Sequence, residues 1–194
     1  MQYLKDEIKK RIISSALQEF YDKGFADASM RQIAGDAGIA LGNVYRYFKN
    51  KEDLFAEIID PVYKSLFSLL ENYESIIKPS STFFEDVVDI LMPIIYEHKT
   101  QLLLLVDKSK GTKYEYTKEK LILVTQKVIN DALTPMLEQR GMRIKDPFIF
   151  TVIAATFFEG IFIIIRKYDD EQEIRYLAYQ LLSISFNDIE KRFV

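Results

Sequence analysis

The sequence predicts an all-α protein, and two observations favour that fold class. Among 194 residues there are only seven glycines and five prolines, so the chain offers few positions for tight turns. Apolar residues recur at the three- and four-residue spacing of amphipathic helices, and no segment alternates as a half-buried strand does. With 48% apolar and 28% charged residues, the chain can form a substantial core and remain soluble.

The first predicted helix spans residues 5–23. Ile12, Ala16 and Phe20 follow one another at four-residue intervals, so one face of this helix is apolar. Gly24 comes directly after it, at the position where a left-handed residue often ends a helix. The other faces carry cations that could add to the affinity for an anion, namely Lys5, Lys9, Lys10 and Arg11.

A second helix is predicted to begin at Ser29 and end at Gly38, and a third to cover residues 41–48. Ser29 and Gln32 form a capping box, in which the serine oxygen accepts from the Gln32 amide while the Gln32 side chain reaches back. Two helices joined by a short turn that contains glycine form a helix-turn-helix. This arrangement is therefore expected in the N-terminal part of the chain.

The third predicted helix and its flanks are positively charged in an acidic chain. From Ala37 to Lys51 there is no acidic residue, and the run has a charge of +3, whereas the formal net charge of the chain is −3. Binding of an anion depends on the field at the binding face and not on the charge of the whole chain. Val44 and Phe48 lie four residues apart and should face inward, which leaves the polar side chains outside.

A fourth helix follows the predicted cap Asn50 and carries an apolar stripe to about residue 75. Pro61 lies inside it, and an interior proline removes a backbone hydrogen bond and usually bends the helix. Pro61 is therefore either a flexible point or a static kink. The clearest break is at residues 78–81, with Thr82 as the expected cap of the next helix. The remaining helices are predicted over residues 83–97, 100–109 and 114–139, from residue 146 onward, and over about 171–191.

Residues 148–165 contain one charged residue, Glu159, and are long enough to be considered as a membrane span. The central carboxylate argues against a span. A helix that is apolar all round is more simply buried on every side, either in the core of one chain or against a second copy. A buried Glu159 would need a partner, in the second copy or in a pocket. We favour a homodimer whose interface is formed by Phe157, Ile161, Ile164, Ile165, Tyr176, Tyr179, Leu182 and Phe186.

Residues 8–60 closely resemble the N-terminal signature of the TetR family of transcriptional regulators. The matching positions are Gly24-Phe25, Ile33-Ala34, Ala37-Gly38-Ile39, Gly42, Val44-Tyr45-Arg46-Tyr47-Phe48, Lys51 and Leu54. The resemblance implies an all-helical repressor with a DNA-binding unit in residues 1–50 and an effector-binding and dimerising unit in residues 51–194, connected by a helix over residues 51–75. Ala40 and Leu41 depart from the Ser-Lys-Gly-Thr-like sequence common at this point in the family. Phosphate affinity there should therefore be lower.

A helix-turn-helix places the start of its second helix in the major groove. The side chains from Leu41 to Arg46 that face outward are therefore expected at the base edges, where asparagine pairs with adenine and arginine with guanine. The resemblance implies that Tyr45, Tyr47 and Lys51 hold phosphates and that Arg31 reaches a base or a phosphate. Tyr45 could instead be a core aromatic, and Arg31 and Lys49 could be solvated surface cations. The predicted DNA-binding residues are Ser29, Arg31, Leu41, Gly42, Asn43, Tyr45, Arg46, Tyr47, Lys49 and Lys51.

The C-terminal helices are rich in Phe, Tyr, Ile and Leu, which favours an apolar or aromatic effector oriented by one or two polar groups. His98 is the only histidine, and its place at a helix end indicates a surface or capping residue. An effector-independent DNA-binding protein, acting in chromosome architecture or division, is the alternative function. The predicted effector pocket contains Met92, Tyr96, Gln126, Phe158, Glu159 and Phe162.

The composition also argues against catalysis. The chain has no cysteine, one histidine and no glycine-rich phosphate loop, so neither an enzyme nor a metal site nor a cofactor is expected. The absence of cysteine fits a reducing compartment, and the charged N-terminus lacks the apolar segment of a secretory signal. We therefore expect a cytoplasmic regulator that acts as a homodimer on double-stranded operator DNA, responds to a small-molecule effector and does not enter a membrane.

Overall fold

The computed structural model describes residues 2–72 and 83–186, apart from the side chains of residues 2–4, 83–85, 136 and 186. Within these ranges the chain forms nine α-helices and no strand, which confirms the predicted all-α class. The helices are α1 (Gln2–Asp27), α2 (Met30–Asp36), α3 (Leu41–Val44), α4 (Lys51–Glu71), α5 (Phe83–Glu97), α6 (Lys99–Asp107), α7 (Thr117–Glu138), α8 (Phe148–Lys167) and α9 (Glu171–Phe186).

The chain divides into two compact units. Unit 1 comprises Met1–Leu66 and His98–Thr117, and unit 2 comprises Phe67–Glu97 and Lys118–Val194. This division differs from the predicted boundary at residue 50, because α4 as far as Leu66, together with α6, belongs to the same unit as the first three helices. The assignment of DNA binding to residues 1–50 and of effector binding and dimerisation to residues 51–194 stays a prediction.

The core of unit 1 is built on the apolar face of α1. Ile12, Ala16 and Phe20 are fully buried, as their four-residue spacing predicts. Aromatic rings extend this core: the Phe55 ring centroid lies 5.0 Å from that of Phe20 and 5.1 Å from that of Phe25. Edge contacts of this kind add to the stabilisation that burial of the rings already provides. The first helix and the start of α4 are thereby fixed to one another.

Gly24 interrupts α1 where the sequence predicts its end. Its φ of 76° lies in the left-handed region that glycine tolerates, and the helical turns resume after it as far as Asp27. The fourth helix is described to Glu71, with Pro61 inside it and within unit 1. The predicted extension of this helix to residue 75, the break at residues 78–81 and the cap Thr82 lie outside the described residues.

Unit 2 is built from α5, α7, α8 and α9, with α9 packed against both α5 and α8. Gly160 of α8 lies against α9 so closely that a Cβ atom there would be 2.7 Å from Leu181 Cδ2. Tyr179 of α9 donates a hydrogen bond of 2.9 Å to Asp89 of α5, and Arg175 forms an ion pair with the same carboxylate. Pro147 is the N-cap of α8, so this helix begins at Phe148 and not at residue 146 as predicted.

Residues 108–117, between α6 and α7, form a tightly hydrogen-bonded loop in unit 1. The Ser109 hydroxyl donates to the Leu105 carbonyl at 2.8 Å, and the Thr117 hydroxyl donates to the Tyr114 carbonyl at 2.7 Å. Both of these polar side chains are buried. At the other end of α6, His98 occupies the N-cap position, but its side chain makes no capping hydrogen bond.

Candidate nucleic-acid interface

The second helix begins at the predicted cap. Ser29 Oγ accepts a hydrogen bond from the Gln32 amide at 3.4 Å, which is the first half of the predicted capping box. The second half of the box, a contact from the Gln32 side chain back to the Ser29 amide, is wrong. Gln32 Nε2 donates instead to Asp36 Oδ1 at 2.9 Å. The Ser29 amide donates to Glu19 Oε1 of α1 at 3.0 Å, so a carboxylate distant in sequence fills that role.

The turn between α2 and α3 requires glycine at Gly38, where φ is 65°. The Gly38 amide donates to the Gly35 carbonyl at 3.0 Å, and the Ile39 amide donates to the Ala34 carbonyl at 3.0 Å. Arg11 of α1 donates to the Ala37 carbonyl in the same turn. The predicted glycine turn is therefore confirmed. Arg11, which was expected to add to the affinity for an anion, donates instead to a backbone carbonyl of the protein.

The third helix is shorter than predicted. It covers Leu41–Val44, and Ala40 gives it no side-chain cap. A further turn continues its direction, since the Phe48 amide donates to the Val44 carbonyl at 3.1 Å. Val44 and Phe48 are 0% and 3% exposed, which confirms that they form its inner face.

The polar side chains of this segment lie on the outside of unit 1. Tyr45 is 48% exposed, so it is a surface residue and the alternative of a core aromatic is wrong. Leu41 and Tyr47 are half-buried. The other exposed members of the predicted set are Ser29, Arg31, Gly42, Asn43, Arg46 and Lys49.

Hydrogen bonds at the start of α4 fix the backbone beside this surface. Asn50 Oδ1 accepts from the Asp53 amide at 2.7 Å, which confirms the predicted cap. Asp53 Oδ2 accepts from the Lys49 amide at 3.1 Å, so the side chains of Asn50 and Asp53 together fix both ends of this turn. Lys49 is thereby fixed through its backbone, while its side chain remains at the surface.

Two cations near the surface have partners in the protein. Lys9 Nζ lies 2.5 Å from Glu57 Oε1 of α4. Lys51 Nζ donates to the carbonyl oxygens of Ala26 at 2.9 Å and Ala28 at 3.0 Å, and it lies 4.7 Å from the centre of the Phe25 ring. The Lys51 ammonium therefore donates hydrogen bonds to backbone carbonyl oxygens. Its contact with phosphate stays a prediction.

The predicted effector residues belong to unit 2. Met92, Phe158 and Phe162 are buried, and the rings of the two phenylalanines stack with centroids 4.5 Å apart. Gln126 is half-buried, whereas Tyr96 is 55% exposed and lies at the surface. A separate cleft of about 290 Å³ in unit 2 has a different lining, which includes Asn130, Thr134, Leu137, Arg143 and Phe150.

Glu159 is not the buried carboxylate that the sequence suggests. Its side chain is 40% exposed, and it forms ion pairs with Lys118 of α7 and with Arg166, whose Nη1 lies 3.9 Å from Glu159 Oε2. Its partners are therefore in the same chain. The sequence did not indicate Lys118, because a helix far along the chain supplies it.

The predicted interface residues on α8 and α9 fall into different environments. Ile165 and Leu182 are 1% and 3% exposed, so they pack inside the chain and cannot form an outer surface. Tyr176 is 60% exposed, and the side chain of Phe186 lies outside the described residues. The half-buried members are Phe157, Ile161, Ile164 and Tyr179.

The outer side of α8 exposes apolar residues beside Glu159, and none of them is among the predicted interface residues. Ile149, Val152 and Ile163 are 36%, 45% and 61% exposed, and their spacing places them on one side of the helix. Within the described part of the chain, α8 alone is long and apolar enough to cross a membrane, a judgement from length and composition. The core helix of a soluble protein can have the same properties, and the opposite side of α8 is buried through Phe150, Ala154, Phe158, Phe162 and Ile165.

Residues 12–58 match the model of a protein family described as bacterial regulatory proteins, tetR family. The chain is 33% identical over 95 residues to YhgD of Bacillus subtilis (strain 168), described as an uncharacterized HTH-type transcriptional regulator, and the match covers 49% of this chain and 48% of YhgD. The chain spans about half the length of the curated relatives it matches.

Two solved structures share the fold over most of their length. SCO3833, a TetR-family member from Streptomyces coelicolor A3, aligns with a TM-score of 0.70 at 18% identity and covers 91% of this chain and 89% of its own. NalD of Pseudomonas aeruginosa, the secondary repressor of the MexAB-OprM multidrug efflux pump, aligns with a TM-score of 0.57 at 19% identity. The alignment covers 94% of this chain and 99% of NalD. Residues 12–58 therefore carry the signature of the tetR family of bacterial regulatory proteins, and the helical fold is that of solved TetR-family structures.

Proposed function

We propose that this protein is a ligand-responsive repressor that binds a pseudo-palindromic operator as a homodimer in the cytoplasm. The observation that carries the proposal is the acid-free segment from Ala37 to Lys51, whose apolar side chains Val44 and Phe48 are buried while Asn43, Arg46 and Lys49 are exposed. A helix fixed by its inner face and exposed along its polar face is suited to enter a groove of DNA.

At the DNA, the exposed side chains of α3 and the following turn read sequence. Asn43 is suited to adenine and Arg46 to guanine, while Leu41 can touch a thymine methyl group. Gly42 is exposed and a Cβ atom there would meet no neighbour within 4 Å, so the helix can approach the bases closely. Contacts with phosphate come from Tyr45, Tyr47 and Lys49, with Arg31 reaching a base or a phosphate, and they set affinity more than specificity.

The dimer is supported by the apolar outer face of α8 and α9. Ile149, Val152 and Ile163 of α8 and Tyr176 of α9 expose apolar surface that a second copy would remove from water. Of the residues predicted for the interface from sequence, Tyr176 is exposed, and Phe157, Ile161, Ile164 and Tyr179 are half-buried. Two copies would present two α3 helices, which suits an operator with two-fold symmetry.

The effector is an apolar or aromatic molecule held in unit 2. The buried Met92, Phe158 and Phe162 supply apolar contacts, and Gln126 supplies a polar group that can orient the molecule. Binding of this molecule is proposed to release the protein from its operator. Such control requires the effector to bind one state of the protein more tightly than the other.

Selection of duplexes from a random pool by the purified protein tests the DNA-binding part. We expect enrichment of a pseudo-palindrome and a complex of two chains per duplex. Thermal unfolding with a panel of amphipathic compounds then tests the effector, and a compound that stabilises the protein should release the selected duplex. Enrichment of a duplex without any response to the panel would favour the alternative, an effector-independent architectural or division factor. No enrichment at all would contradict both.

A further inference from the structure

A cleft of about 290 Å³ lies in unit 2 where α7 ends and α8 begins. Its lining comes from the C-terminal part of α7, from the loop that follows and from the first turn of α8, and it includes none of the residues predicted to hold the effector. Sites for small molecules commonly enclose about 300–1,000 Å³. This cleft is at the lower limit of that range, so it suits a molecule about as large as a single amino acid.

The wall formed by the end of α7 is fixed by backbone hydrogen bonds. The Gly141 amide donates to the Glu138 carbonyl at 2.9 Å, and the Met142 amide donates to the Leu137 carbonyl at 3.0 Å. Gly141 has a φ of 72°, and a left-handed glycine with these two bonds is a Schellman motif. This motif commonly brings the residue after the glycine against the last turn of the helix. The wall therefore has its shape before a ligand binds.

The floor of the cleft is apolar. Leu137 and Phe150 line it and are each 2% exposed. Met142 and Ile144 also line it, and both are half-buried. An apolar group that enters the cleft would lose contact with water, which favours binding in proportion to the apolar area removed from water.

The cleft also carries two opposite charges. Arg143 and Glu138 both line it, and both are exposed, so a ligand can reach them from solvent. A guanidinium group binds a carboxylate through two parallel hydrogen bonds, and a carboxylate accepts hydrogen bonds from an ammonium group. The Thr134 hydroxyl, which also lines the cleft, donates to Asn130 Oδ1 at 3.2 Å. Its oxygen therefore retains lone pairs that can accept a further hydrogen bond.

The two charges decide which class of ligand suits the cleft. An apolar carboxylate without an amine would bring its negative charge near Glu138, and an apolar amine would bring its positive charge near Arg143. Like charges that approach one another are unfavourable. A molecule with an ammonium group, a carboxylate and an apolar side chain can place each charge beside the opposite one. Its charges and its side chain then both match the lining of the cleft.

We propose that this cleft binds a free amino acid with an apolar side chain. Arg143 holds the carboxylate of the ligand, Glu138 and Thr134 hold its ammonium group, and the floor of the cleft receives its side chain. The cleft is a second ligand site of unit 2, separate from the effector site proposed around Met92. The proposal does not depend on the proposed function, because binding is measured without DNA.

The test uses three probes that share a phenyl ring. Phenylalanine carries both charges, hydrocinnamate carries only the carboxylate, and phenethylamine carries only the ammonium group. Glycine is the fourth probe, with both charges and no side chain. Calorimetric titration of the whole protein with each probe measures its affinity. Methionine methyl NMR reports where the probe binds, because Met142 lines the cleft and Met92 belongs to the proposed effector site.

Two substitutions each remove one charge from the cleft. Arg143→Gln and Glu138→Gln are changes at exposed positions, so both variants should fold. Lys145→Gln is the matched control, since Lys145 is an exposed cation two residues from Arg143 that does not line the cleft. All three variants are titrated with the same four probes.

We expect phenylalanine to bind at least about tenfold more tightly than each of the other probes, because each lacks a charge-assisted hydrogen bond or the apolar contact. Arg143→Gln should remove the advantage over phenethylamine, and Glu138→Gln should remove the advantage over hydrocinnamate. Lys145→Gln should bind phenylalanine as the wild type does. The methyl resonance of Met142 should shift during the titration, and that of Met92 should not.

The proposal is overturned if phenylalanine does not bind, or if it binds no more tightly than one of the two analogues with a single charge. An equal loss of affinity in Lys145→Gln and Arg143→Gln would also overturn it, because the arginine would then act through the general field and not through contact. A shift of the Met92 resonance in place of that of Met142 would reject this cleft and support the proposed effector site instead.

Discussion

The Tyr114 hydroxyl donates a hydrogen bond to Asp60 Oδ1, the carboxylate that directly precedes Pro61 in α4. Lys113 Nζ lies 3.2 Å from the same oxygen, and Lys64 Nζ lies 3.4 Å from Asp60 Oδ2. The loop of residues 108–117 is thereby attached to α4 on the N-terminal side of the proline. Because the boundary between the two units falls after Leu66, Pro61 lies inside one unit, which favours the static kink over a flexible point.

Removing the hydroxyl in Tyr114→Phe should destabilise the protein by about 1–2 kcal/mol, because the Asp60 carboxylate loses a hydrogen bond from a buried donor. Urea unfolding at neutral pH measures the change. Tyr116→Phe is the matched control, since Tyr116 is 65% exposed and its change should stay within about 0.5 kcal/mol. Equal effects of the two substitutions would mean that the Asp60 contact does not contribute to stability.

The same carboxylate should make stability depend on pH in the acid range. The Tyr114 hydroxyl, followed by Lys113 and Lys64, holds the pKa of Asp60 below its usual 3.8, although partial burial acts in the opposite direction. A carboxyl group whose pKa is lowered on folding stabilises the protein above pH 3.8, and this contribution disappears as the pH falls through the folded-state pKa. Asp60→Asn should therefore unfold with a weaker pH dependence below about pH 4. Urea midpoints measured from about pH 2 to about pH 6 check this, and parallel curves would contradict it.

Two glycines of the helix-turn-helix should respond differently to alanine. Gly38→Ala should cost about 1–2 kcal/mol, because an L-residue is strained at positive φ. Its Cβ atom would also lie 2.7 Å from Arg11 Nη2. Gly42→Ala should leave thermal stability unchanged or raise it, because its Cβ atom would meet no neighbour within 4 Å and alanine favours helices. Gly42→Ala should instead weaken DNA binding. A loss of thermal stability in this variant would argue against the helical position assigned to Gly42.

Arg46→Ala should remove about 1–3 kcal/mol of discrimination between the selected duplex and a scrambled one, as expected for a contact with a guanine edge. Lys49→Ala serves as the comparison, since a phosphate contact should weaken both duplexes alike. Fluorescence anisotropy titrations at fixed salt concentration measure both variants. Losses of equal size on the two duplexes for Arg46→Ala would reassign this arginine to the DNA backbone.

Ile163→Glu should convert the proposed homodimer to a monomer, because it replaces an apolar side chain that is 61% exposed on α8 by a second carboxylate one turn from Glu159. Leu123→Glu is the control, since Leu123 is also 61% exposed but lies on α7. Analytical ultracentrifugation of the three proteins gives the oligomeric state. A dimer that persists in Ile163→Glu and dissociates in Leu123→Glu would move the interface to α7.

The features predicted correctly from sequence are local ones. The apolar face of α1, the cap at Ser29, the left-handed Gly38 and the cap at Asn50 all depend on residues within four positions of one another, so periodicity and capping rules identify them. The helix-turn-helix follows from their order along the chain.

The contacts that the sequence does not indicate join residues far apart in the chain. Lys51 and Ala26 are 25 positions apart, and Tyr114 and Asp60 are 54 positions apart. Nothing in the local pattern shows which distant partner a charged or hydroxyl side chain will meet. For this reason the sequence leaves Lys51 available to DNA and gives Glu159 no definite partner, although both have partners in the same chain.

The close packing of α8 and α9 at Gly160 has a consequence for assembly. Because the α8 backbone comes against Leu181 at a residue without a side chain, the two helices are held side by side in a fixed spacing. The exposed apolar residues Ile149, Val152 and Ile163 are therefore carried on a helix whose spacing from α9 is fixed. A second copy that docks there would lose little conformational entropy in ordering it, so even a modest contact area could give a durable assembly.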